Sequence, residues 1–325
     1  MFKRILVPLD RSALAEQAIG QAALIARGAK AEIDLVLVHT PFPFAPEGYA
    51  TWEESEWTAD QTYLDAVAND LQSGSSVPVS YEVLRGVPAD RICERALDAD
   101  LVVMTSHGRT GMSRAWLGSV ADAVVRRTPA PVLILRPRKT SKPRSPVRRG
   151  FKHILVPIDG SELAGEALGP AIDLATALGA DLTLFRAIFP VPLVAAYDAT
   201  IPLGYQPMIV DEETSGRLIS EMKDRLATIA ERLHEAHGIP VSLDVVASAR
   251  PADAILQCAH EHEIDCIAMS THGRGMSRLF VGSVADKILR GSGLPVLLRR
   301  PVGVVENYLG SEEEAAEIPA LRGMT

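Results

Sequence analysis

Residues 101–121 read LVVMTSHGRTGMSRAWLGSVA, and this stretch decides the fold. It opens with a short apolar run of strand type, Leu101 to Met104, and closes on a helix whose apolar period begins at Ser119. Its glycines therefore lie between a strand and a helix start. Glycine lets a ligand approach the backbone, and the first turn of a helix presents unpaired N–H groups at the positive end of the helix dipole. The pattern is typical of an anion-binding loop, and a glycine turn without a ligand fits it too.

The same pattern recurs at residues 270–286, which read STHGRGMSRLFVGSVAD. The openings of the two halves also match, because residues 3–10 read KRILVPLD and residues 152–159 read KHILVPID. A repeat of this length and order predicts the duplication of a whole unit rather than of one loop.

Each unit alternates strand and helix patterns. In the first unit, strands are predicted at residues 5–9, 33–38, 77–84, 101–104 and 132–135. The first of them is apolar throughout, which predicts a strand buried on both faces of a parallel sheet. The element order predicts an α/β fold with two tandem, doubly wound, parallel five-stranded sheets, each with a crevice at the carboxyl ends of its strands. Asp10 and the glycine loop both follow strands at those ends.

Helix boundaries are predicted from caps and turn residues. Ser12 is expected to cap the first helix and Gly28 to end it. The stretch from Pro41 to Asp60 is too irregular for a regular element and is interpreted as a loop, either packed on the surface or lying over the sheet edge as a lid. A helix is predicted from about Thr58 to Leu71. A longer helix in the second unit is predicted from about Asp211 to His237.

Composition excludes several classes of protein. The chain has 325 residues, 47% hydrophobic and 23% charged, which is ordinary for about two globular domains. Its net charge of −8 argues against a general nucleic-acid surface. No apolar run approaches the ~20 residues of a membrane span and no signal-peptide pattern opens the chain, so we expect a cytoplasmic protein without membrane contact.

The three cysteines, Cys93, Cys258 and Cys266, form no C-x-x-C pair. The absence of such a pair disfavours a disulfide framework and a structural zinc site. Buried, unreactive thiols are the favoured interpretation.

The chain divides into four predicted segments. Residues 1–138 and 151–301 form the two repeated domains. Residues 139–150 are basic and broken by prolines, which predicts an extended linker rather than a binding patch. Residues 302–325 form an acidic tail that is expected to be mostly solvated.

At the opening motif Val-Pro-hydrophobic-Asp-x-Ser, at Gly86-x-Pro88 and at the glycine loop, the chain resembles the universal stress protein family in its tandem form. The resemblance runs from Phe2 to Pro301 and implies a Rossmann-like sheet of order 3-2-1-4-5 in each domain. The family's nucleotide-binding pattern is G-x2-G-x9-G followed by Ser or Thr. Gly108, Gly118 and Ser119 match the second half of that pattern, whereas Thr105 stands at its first glycine.

In the second unit, Ser270 stands at the first glycine and only eight residues separate Gly273 from Gly282. The first site is therefore the better candidate. The resemblance implies a first adenine-nucleotide site at Pro8, Leu9, Asp10, Thr40, Gly86, Met104, Thr105, His107, Gly108, Arg109, Gly118, Ser119, Val120 and Ala121. It implies a weaker second site at Pro157, Ile158, Asp159, Ala187, Ser270, His272, Gly273, Gly282, Ser283 and Val284. In this second site Ala187 is taken as the counterpart of Thr40. Ala249 is taken as the counterpart of Gly86, and its methyl group is expected to crowd this second site.

The aspartates and the loop histidines of these sites each allow two interpretations. Asp10 could contact the ribose or hold Mg²⁺ bound to phosphates, or it could start an Asx-turn toward Ser12. Asp159 and Ser161 repeat that choice in the second unit. The loop histidines could donate to a phosphate or pack the loop, and without a triad arrangement neither is expected to be catalytic.

Together with these residues, the resemblance implies a stress-response protein that binds ATP with Mg²⁺, mainly in its first domain, and acts as a regulator rather than as a fast enzyme. A nucleotide-free interaction protein, with Thr105 and Ser270 blocking both pockets, is the main alternative. An ATP-using enzyme of related fold is another, but the chain lacks G-x-x-x-x-G-K-[ST] and has no G-x-G-x-x-G after its first strand.

The two halves are expected to form a pseudo-dimer by joining the edge strands Val132 to Leu135 and Val296 to Leu298, which would otherwise be exposed. The expected partners are an adenine nucleotide, a second copy of the tandem chain in a homodimer, and a regulatory protein of unknown kind.

Overall fold

The structure is a computed structural model that describes residues 1–41, 49–107, 117–136, 150–189, 212–271 and 281–301. The elements of the first half are β1 (Arg4–Leu9), α1 (Gln17–Ala29), β2 (Glu32–His39), α2 (Tyr49–Gly74), β3 (Val79–Arg85), α3 (Pro88–Arg95), β4 (Leu101–Thr105), α4 (Ser119–Arg127) and β5 (Val132–Leu135). Those of the second half are β6 (His153–Pro157), α5 (Glu162–Gly165), α6 (Leu168–Leu178), β7 (Asp181–Ile188), α7 (Glu212–His237), β8 (Val241–Ala247), α8 (Pro251–Glu261), β9 (Cys266–Ser270), α9 (Ser283–Gly291) and β10 (Val296–Arg299).

The strands form one continuous ten-stranded sheet in the order β3-β2-β1-β4-β5-β10-β9-β6-β7-β8. Each half has the predicted order 3-2-1-4-5 with parallel pairing. The halves meet where β5 and β10 pair antiparallel, with Val296 opposite Ile134 and Leu298 opposite Val132. The predicted junction of these two edge strands is confirmed. Because it is a backbone ladder, the two predicted sheets become a single sheet.

Helices cover both faces of this sheet. On β1, Ile5 and Val7 pack into a core on one face, and Leu6 packs into a second core on the other. The first core contains residues of α1, α2, α6 and α7, and the second contains residues of α3, α4, α8 and α9. Burial on both faces explains why the strands read as continuous apolar runs instead of alternating patterns.

The predicted loop from Pro41 to Asp60 is wrong for most of its length. Helix α2 begins at Tyr49, well before the predicted start at Thr58. Polar and aromatic residues of this extra segment contact residues at the ends of the strands. Tertiary contacts therefore stabilise helix where the local pattern was irregular.

The predicted end of the first helix is also wrong. Helix α1 continues through Gly28 to Ala29, and Lys30 supplies the left-handed turn with φ of 56°. A Cβ on Gly28 would lie 1.7 Å from the carbonyl oxygen of Ala177 in α6. Gly28 therefore allows two helices from different halves to touch. Ser12 does accept the N–H of Ala15 through its Oγ at 3.1 Å, but in a turn that precedes α1.

Most of the predicted linker and the whole predicted tail, residues 139–149 and 302–325, lie outside the described residues, and the domain boundaries stay predictions. Within the described ranges, none of the helices has the combination of length and apolar character that crossing a bilayer requires.

Candidate functional site

The carboxyl ends of β1 and β4 form the centre of the candidate site. The two strands are neighbours, with Ile5 opposite Leu101 and Leu6 opposite Val102. Because they run parallel, Asp10 after β1 and the start of the glycine loop after β4 reach the same edge of the sheet. The sheet order therefore brings together residues that are far apart in the sequence.

Asp10 begins the turn that leaves β1. Its Oδ1 accepts the backbone N–H of Ser12 at 3.0 Å, which is the Asx-turn considered from the sequence. A carboxylate has about four acceptor positions, so this hydrogen bond is compatible with a further role toward a ribose or a cation. Arg11, between these two residues, has φ of 64° in the left-handed region.

The start of α4 completes the central part of the site. The N–H of Gly118 donates to the carbonyl oxygen of Ser106 at 2.7 Å, which anchors the helix start to the end of β4. Within the described residues the helix has no side-chain cap, and Ser119 is exposed. A Cβ on Gly118 would lie 3.3 Å from the Ser106 carbonyl oxygen, so any side chain there requires a small shift of the neighbouring backbone. The positive end of the helix dipole therefore lies at the same edge as Asp10.

Thr105 and His107 occupy the exit of β4. The Thr105 hydroxyl is buried and donates to the carbonyl oxygen of His107 at 2.8 Å. Ser106 Oγ lies 3.0 Å from His107 Nδ1. The residue at the expected first glycine therefore closes the turn with its own side chain. Gly108 and Arg109, the next predicted site residues, lie outside the described part of the chain.

The predicted adenine-pocket residues lie at the ends of four adjacent strands. Pro8, Leu9 and Met104 are buried, and Thr40 is exposed just after β2. Gly86 follows β3 with φ of 137°, and its N–H donates to the carbonyl oxygen of His39 at 3.0 Å. Of the predicted residues on α4, Ala121 is buried and Val120 is half-buried.

Beside this edge lies a charged network that the sequence prediction missed. The guanidinium of Arg11 contacts Glu56 at 2.6 Å and Asp60 at 3.0 Å, and Asp60 also lies 2.8 Å from Nδ1 of His39. The hydrogen bond with Glu56 is the main cause that raises the pKa of Arg11. Glu56 belongs to the part of α2 that was predicted as loop, and Asp60 lies where that loop and the helix predicted from about Thr58 overlap, so no sequence pattern joined them to Arg11.

Aromatic contacts extend this network toward β3. Trp57 packs edge to face on His39, with ring centroids 5.7 Å apart, and the Arg85 guanidinium lies 4.5 Å from the Trp57 ring centroid. His39 and Asp60 are buried. Among the residues that the structure describes, His39 Nε2 has no hydrogen-bond partner. A buried imidazole with one satisfied nitrogen leaves a polar atom at the rim of the candidate site.

The second half repeats the framework with differences. Asp159 Oδ1 accepts both the N–H and the hydroxyl of Ser161, at 2.8 and 2.5 Å, and Gly282 donates to the Thr271 carbonyl oxygen at 2.7 Å. Gly160 has φ of 79°, and a Cβ there would lie 2.3 Å from the Arg186 guanidinium. An arginine therefore lies over the backbone that follows the candidate aspartate.

The remaining residues of the predicted second site differ in exposure. Ile158 and Ser270 are buried, Pro157 and Val284 are half-buried, and Ser283 is exposed. His272 and Gly273 lie outside the described residues.

Two predicted correspondences in the second half are wrong. Ala187 was matched with Thr40, but Val36 pairs with Pro8 and Phe185 pairs with Pro157. Counting along the strands from these pairs makes Phe189 the counterpart of Thr40.

The second error concerns Ala249, which was matched with Gly86. The backbone bond that Gly86 makes to His39 is made by Ser248 to Ile188. One extra residue between β8 and α8 shifted the sequence match, so Ser248 is the counterpart of Gly86.

A groove of about 520 Å³ lies elsewhere, between the halves. It is lined by Phe2 before β1, Asp100 before β4, Pro131 before β5 and residues of α6. These positions are the amino ends of the strands. Open α/β sheets bind ligands at the carboxyl ends of their strands, so this groove is not part of the candidate site.

Comparison with known proteins gives one consistent result. The model of the universal stress protein family matches residues 1–136 and again residues 150–300. A universal stress protein of Mycobacterium tuberculosis is 28% identical over 80% of this chain and 82% of its own length. A second one from that organism is 26% identical over 91% of this chain and 94% of its own. The crystal structure of a universal stress protein from Archaeoglobus fulgidus covers 91% of this chain and 96% of its own, with a TM-score of 0.60 at 20% identity.

Proposed function

This chain belongs to the universal stress protein family, and from that premise we propose that its first half binds ATP with Mg²⁺ at the carboxyl ends of β1 and β4. The single observation that carries the proposal is the start of α4, which is held against the end of β4 and faces the same sheet edge as Asp10. Backbone N–H groups at a helix start, at the positive end of its dipole, suit a phosphate chain.

In this proposal each part of the site has a separate task. Gly118 and Ser119 contact the phosphates, and the Asp10 carboxylate contacts the ribose or holds Mg²⁺. Mg²⁺ favours one or two carboxylates together with phosphate oxygens, and when bound it neutralises phosphate charge. The adenine lies among the ends of the strands. The residues assigned to the remaining contacts are Pro8, Leu9, Thr40, Gly86, Met104, Thr105, His107, Gly108, Arg109, Val120 and Ala121.

The second half is proposed to bind nucleotide weakly or not at all. Arg186 lies over Gly160 beside Asp159, and the glycine loop is one residue shorter. Both features change the space that a nucleotide would need near the backbone.

We assign the protein a regulatory rather than an enzymatic role. Ser106 Oγ lies 3.0 Å from the imidazole Nδ1 of His107, but Ser106 is buried. A buried hydroxyl cannot attack a bound substrate, so this pair does not form a nucleophile and base. Nucleotide occupancy would instead change the surface around the start of α4 that a partner protein contacts.

The duplication supplies a matched test. Asp10→Ala and Asp159→Ala remove equivalent carboxylates that make the same Asx-turn bond, and Asp159 also accepts the Ser161 hydroxyl, so the folding of both variants is checked by circular dichroism before binding is compared. We expect isothermal calorimetry with Mg-ATP to show about one site per chain. Affinity should fall roughly tenfold or more in Asp10→Ala and remain unchanged in Asp159→Ala, because a charged contact to the ligand is lost only in the first.

Other outcomes identify the alternatives. Equal loss in both variants would place functional sites in both halves. No binding by the wild-type chain, together with no adenine nucleotide released on denaturing freshly purified protein, would reject the proposal. The buried Thr105 hydroxyl, which fills the place of a glycine, would then favour a nucleotide-free interaction protein.

A homodimer of tandem chains also remains a proposal. The outer strands of the sheet, β3 and β8, have free edges within the described structure. Light scattering after size exclusion would decide between one chain and two.

A further inference from the structure

Away from the nucleotide site, three different metal-ligating side chains meet on the second half. Asp244 lies in the middle of β8, Cys258 on α8, and His262 at the end of α8. One ligand atom of each lies within 4.8 Å of the ligand atoms of the other two. Between the two polar members, His262 Nε2 lies 3.8 Å from Asp244 Oδ2.

The fold explains why these residues meet. Asp244 lies on the same side of β8 as Val246, which packs in the core that α8 covers. Cys258 and His262 are four residues apart at the end of that helix, so both lie on one side of it. The N–H of His262 donates to the Cys258 carbonyl oxygen at 3.0 Å, which fixes their backbone separation. The cluster therefore rests on a strand and a helix rather than on a loop.

The three side chains of the cluster differ in their exposure to solvent. Cys258 is buried, Asp244 is 23% exposed and His262 is 53% exposed. Solvent therefore reaches the cluster from the imidazole side, which gives an ion a path of entry. The exposed imidazole can also change its rotamer without disturbing the core.

The first half has different side chains at the positions equivalent to Asp244 and Cys258. Glu82 is the counterpart of Asp244 by strand register, and Arg95 is the counterpart of Cys258 by its distance from the first proline of the helix. Arg95 contacts Asp34 at 2.6 Å and Glu82 at 3.9 Å. The first half thus neutralises its strand carboxylate with a guanidinium. In the second half a thiol and an imidazole replace that cation.

We propose that Asp244, Cys258 and His262 bind one Zn²⁺ ion, with water as the fourth ligand. Carboxylate, thiolate and imidazole are the three protein ligand types that zinc uses, and tetrahedral zinc with three protein ligands keeps one open position. Tetrahedral bonds of about 2.0 Å to N or O and about 2.3 Å to S separate the ligand atoms of such a site by ~3.3–3.5 Å. A small movement of His262 brings the cluster into that range.

Metal binding changes one covalent bond in the cluster. Without metal, a cysteine thiol is mostly protonated at neutral pH, because its ordinary pKa is about 8.5. On binding, the Cys258 S–H bond breaks, its proton goes to solvent, and a bond forms between sulfur and Zn²⁺. The thiolate ligand disfavours Mg²⁺ and Ca²⁺, which prefer oxygen.

Cobalt is the probe that tests the site, because Co²⁺ replaces Zn²⁺ in tetrahedral sites and absorbs light when thiolate is bound. The full-length, reduced chain is stripped with a chelator and titrated with CoCl₂. We expect a thiolate-to-cobalt absorption that saturates at about one ion per chain and disappears when Zn²⁺ is added.

Two variants test individual zinc ligands, and a third variant serves as the control. Cys258→Ser should abolish the absorption, and His262→Gln should weaken binding by roughly tenfold or more, since one of three protein ligands is gone. Cys93→Ser, which changes the half-buried cysteine of α3, should leave the titration unchanged. His262 is exposed, so its variant remains informative even if Cys258→Ser fails to fold.

The inference is overturned by any of three results. The folded wild-type chain could lack the absorption, Cys258→Ser could retain it, or His262→Gln could bind Co²⁺ as tightly as the wild type. The site is independent of the nucleotide, so the Asp10→Ala variant should bind Co²⁺ normally.

Discussion

Arg11 and Gly160 occupy equivalent positions after the first strand of each half, and both have left-handed backbone, with φ of 64° and 79°. Glycine adopts this conformation without a steric penalty, whereas a residue with a Cβ pays about 1–2 kcal/mol. Arg11 offsets that penalty through its contacts with Glu56 and Asp60. At this position the first half therefore has a strained backbone and a charged contact at the rim of the candidate site, whereas the second half has a glycine without that strain.

This exchange predicts the order of two variants at Arg11. Arg11→Ala keeps the strained backbone and loses both ion pairs, whereas Arg11→Gly loses the same ion pairs but relieves the strain. We expect both to be less stable than the wild type and Arg11→Gly to be about 1 kcal/mol more stable than Arg11→Ala. Urea unfolding of the three proteins measures the difference. Equal stability of the two variants would show that the backbone at Arg11 is unstrained.

Thiol burial predicts the stability of the chain in alkali. Cys266 is buried and its pKa is raised, mainly by that burial. The unfolded chain therefore loses this proton near pH ~8.5 while the native chain keeps it, so the free energy of unfolding falls as pH rises above that value, by up to ~1.4 kcal/mol per pH unit.

The measurement is urea unfolding of the wild type and of Cys266→Ala between pH 7 and 10. The variant should lose less stability over this range than the wild type. An identical pH dependence would mean that Cys266 ionises equally easily in both states.

At the scale of helices and strands, contact between α1 and α6 depends on a missing side chain. Gly28 lies near the end of α1 and faces the Ala177 carbonyl oxygen. The N-terminal amino group of Met1 also contacts Asp173 of α6 at 2.8 Å. These contacts link the two halves on one face of the sheet, beyond the backbone pairing of β5 with β10.

Gly28→Ala should therefore destabilise the protein although alanine favours helix. The new methyl group overlaps the Ala177 backbone, and moving two packed helices apart costs about 1–3 kcal/mol. Gly216→Ala is the matched control, because Gly216 lies within α7 and a Cβ added there would meet none of the described atoms within 4 Å. The control should leave the melting temperature unchanged or raise it. A Gly28→Ala protein as stable as the control would contradict the close contact.

At the scale of the whole molecule, the duplicated halves share one sheet and one core on each face. Leu133 and Leu297, which face each other across β5 and β10, belong to the same core, as do residues of α1 and α6. A boundary drawn at the junction would cut through buried side chains. The two halves are therefore thermodynamically coupled even though each repeats a complete strand and helix order.

Coupling of this kind predicts a single thermal transition. We expect scanning calorimetry of the full chain to give one peak whose calorimetric and van't Hoff enthalpies agree, because neither half can unfold without exposing the core of the other. Two resolved peaks, or a van't Hoff enthalpy near half of the calorimetric value, would show that the halves unfold independently.

The sequence by itself determined the features that depend on local pattern and on repetition. Continuous apolar runs such as Ile5 to Leu9 predicted buried parallel strands, and the repeated motifs predicted the duplication. Alternation of strands and helices, together with the family resemblance, placed Asp10 and the glycine loop at one edge of the sheet. The buried strands are confirmed because strand burial follows from neighbouring residues, and Asp10 lies at the same edge as the end of β4 because the sheet has the order that the resemblance implied.

Only the tertiary structure decided which distant side chains meet. The early start of α2, the contacts of Arg11 with Glu56 and Asp60, the packing role of Gly28, and the meeting of Asp244 with Cys258 and His262 all join residues without a shared local pattern. Each depends on how strands are ordered and helices are laid on them. Packing in three dimensions, rather than spacing along the chain, sets those distances.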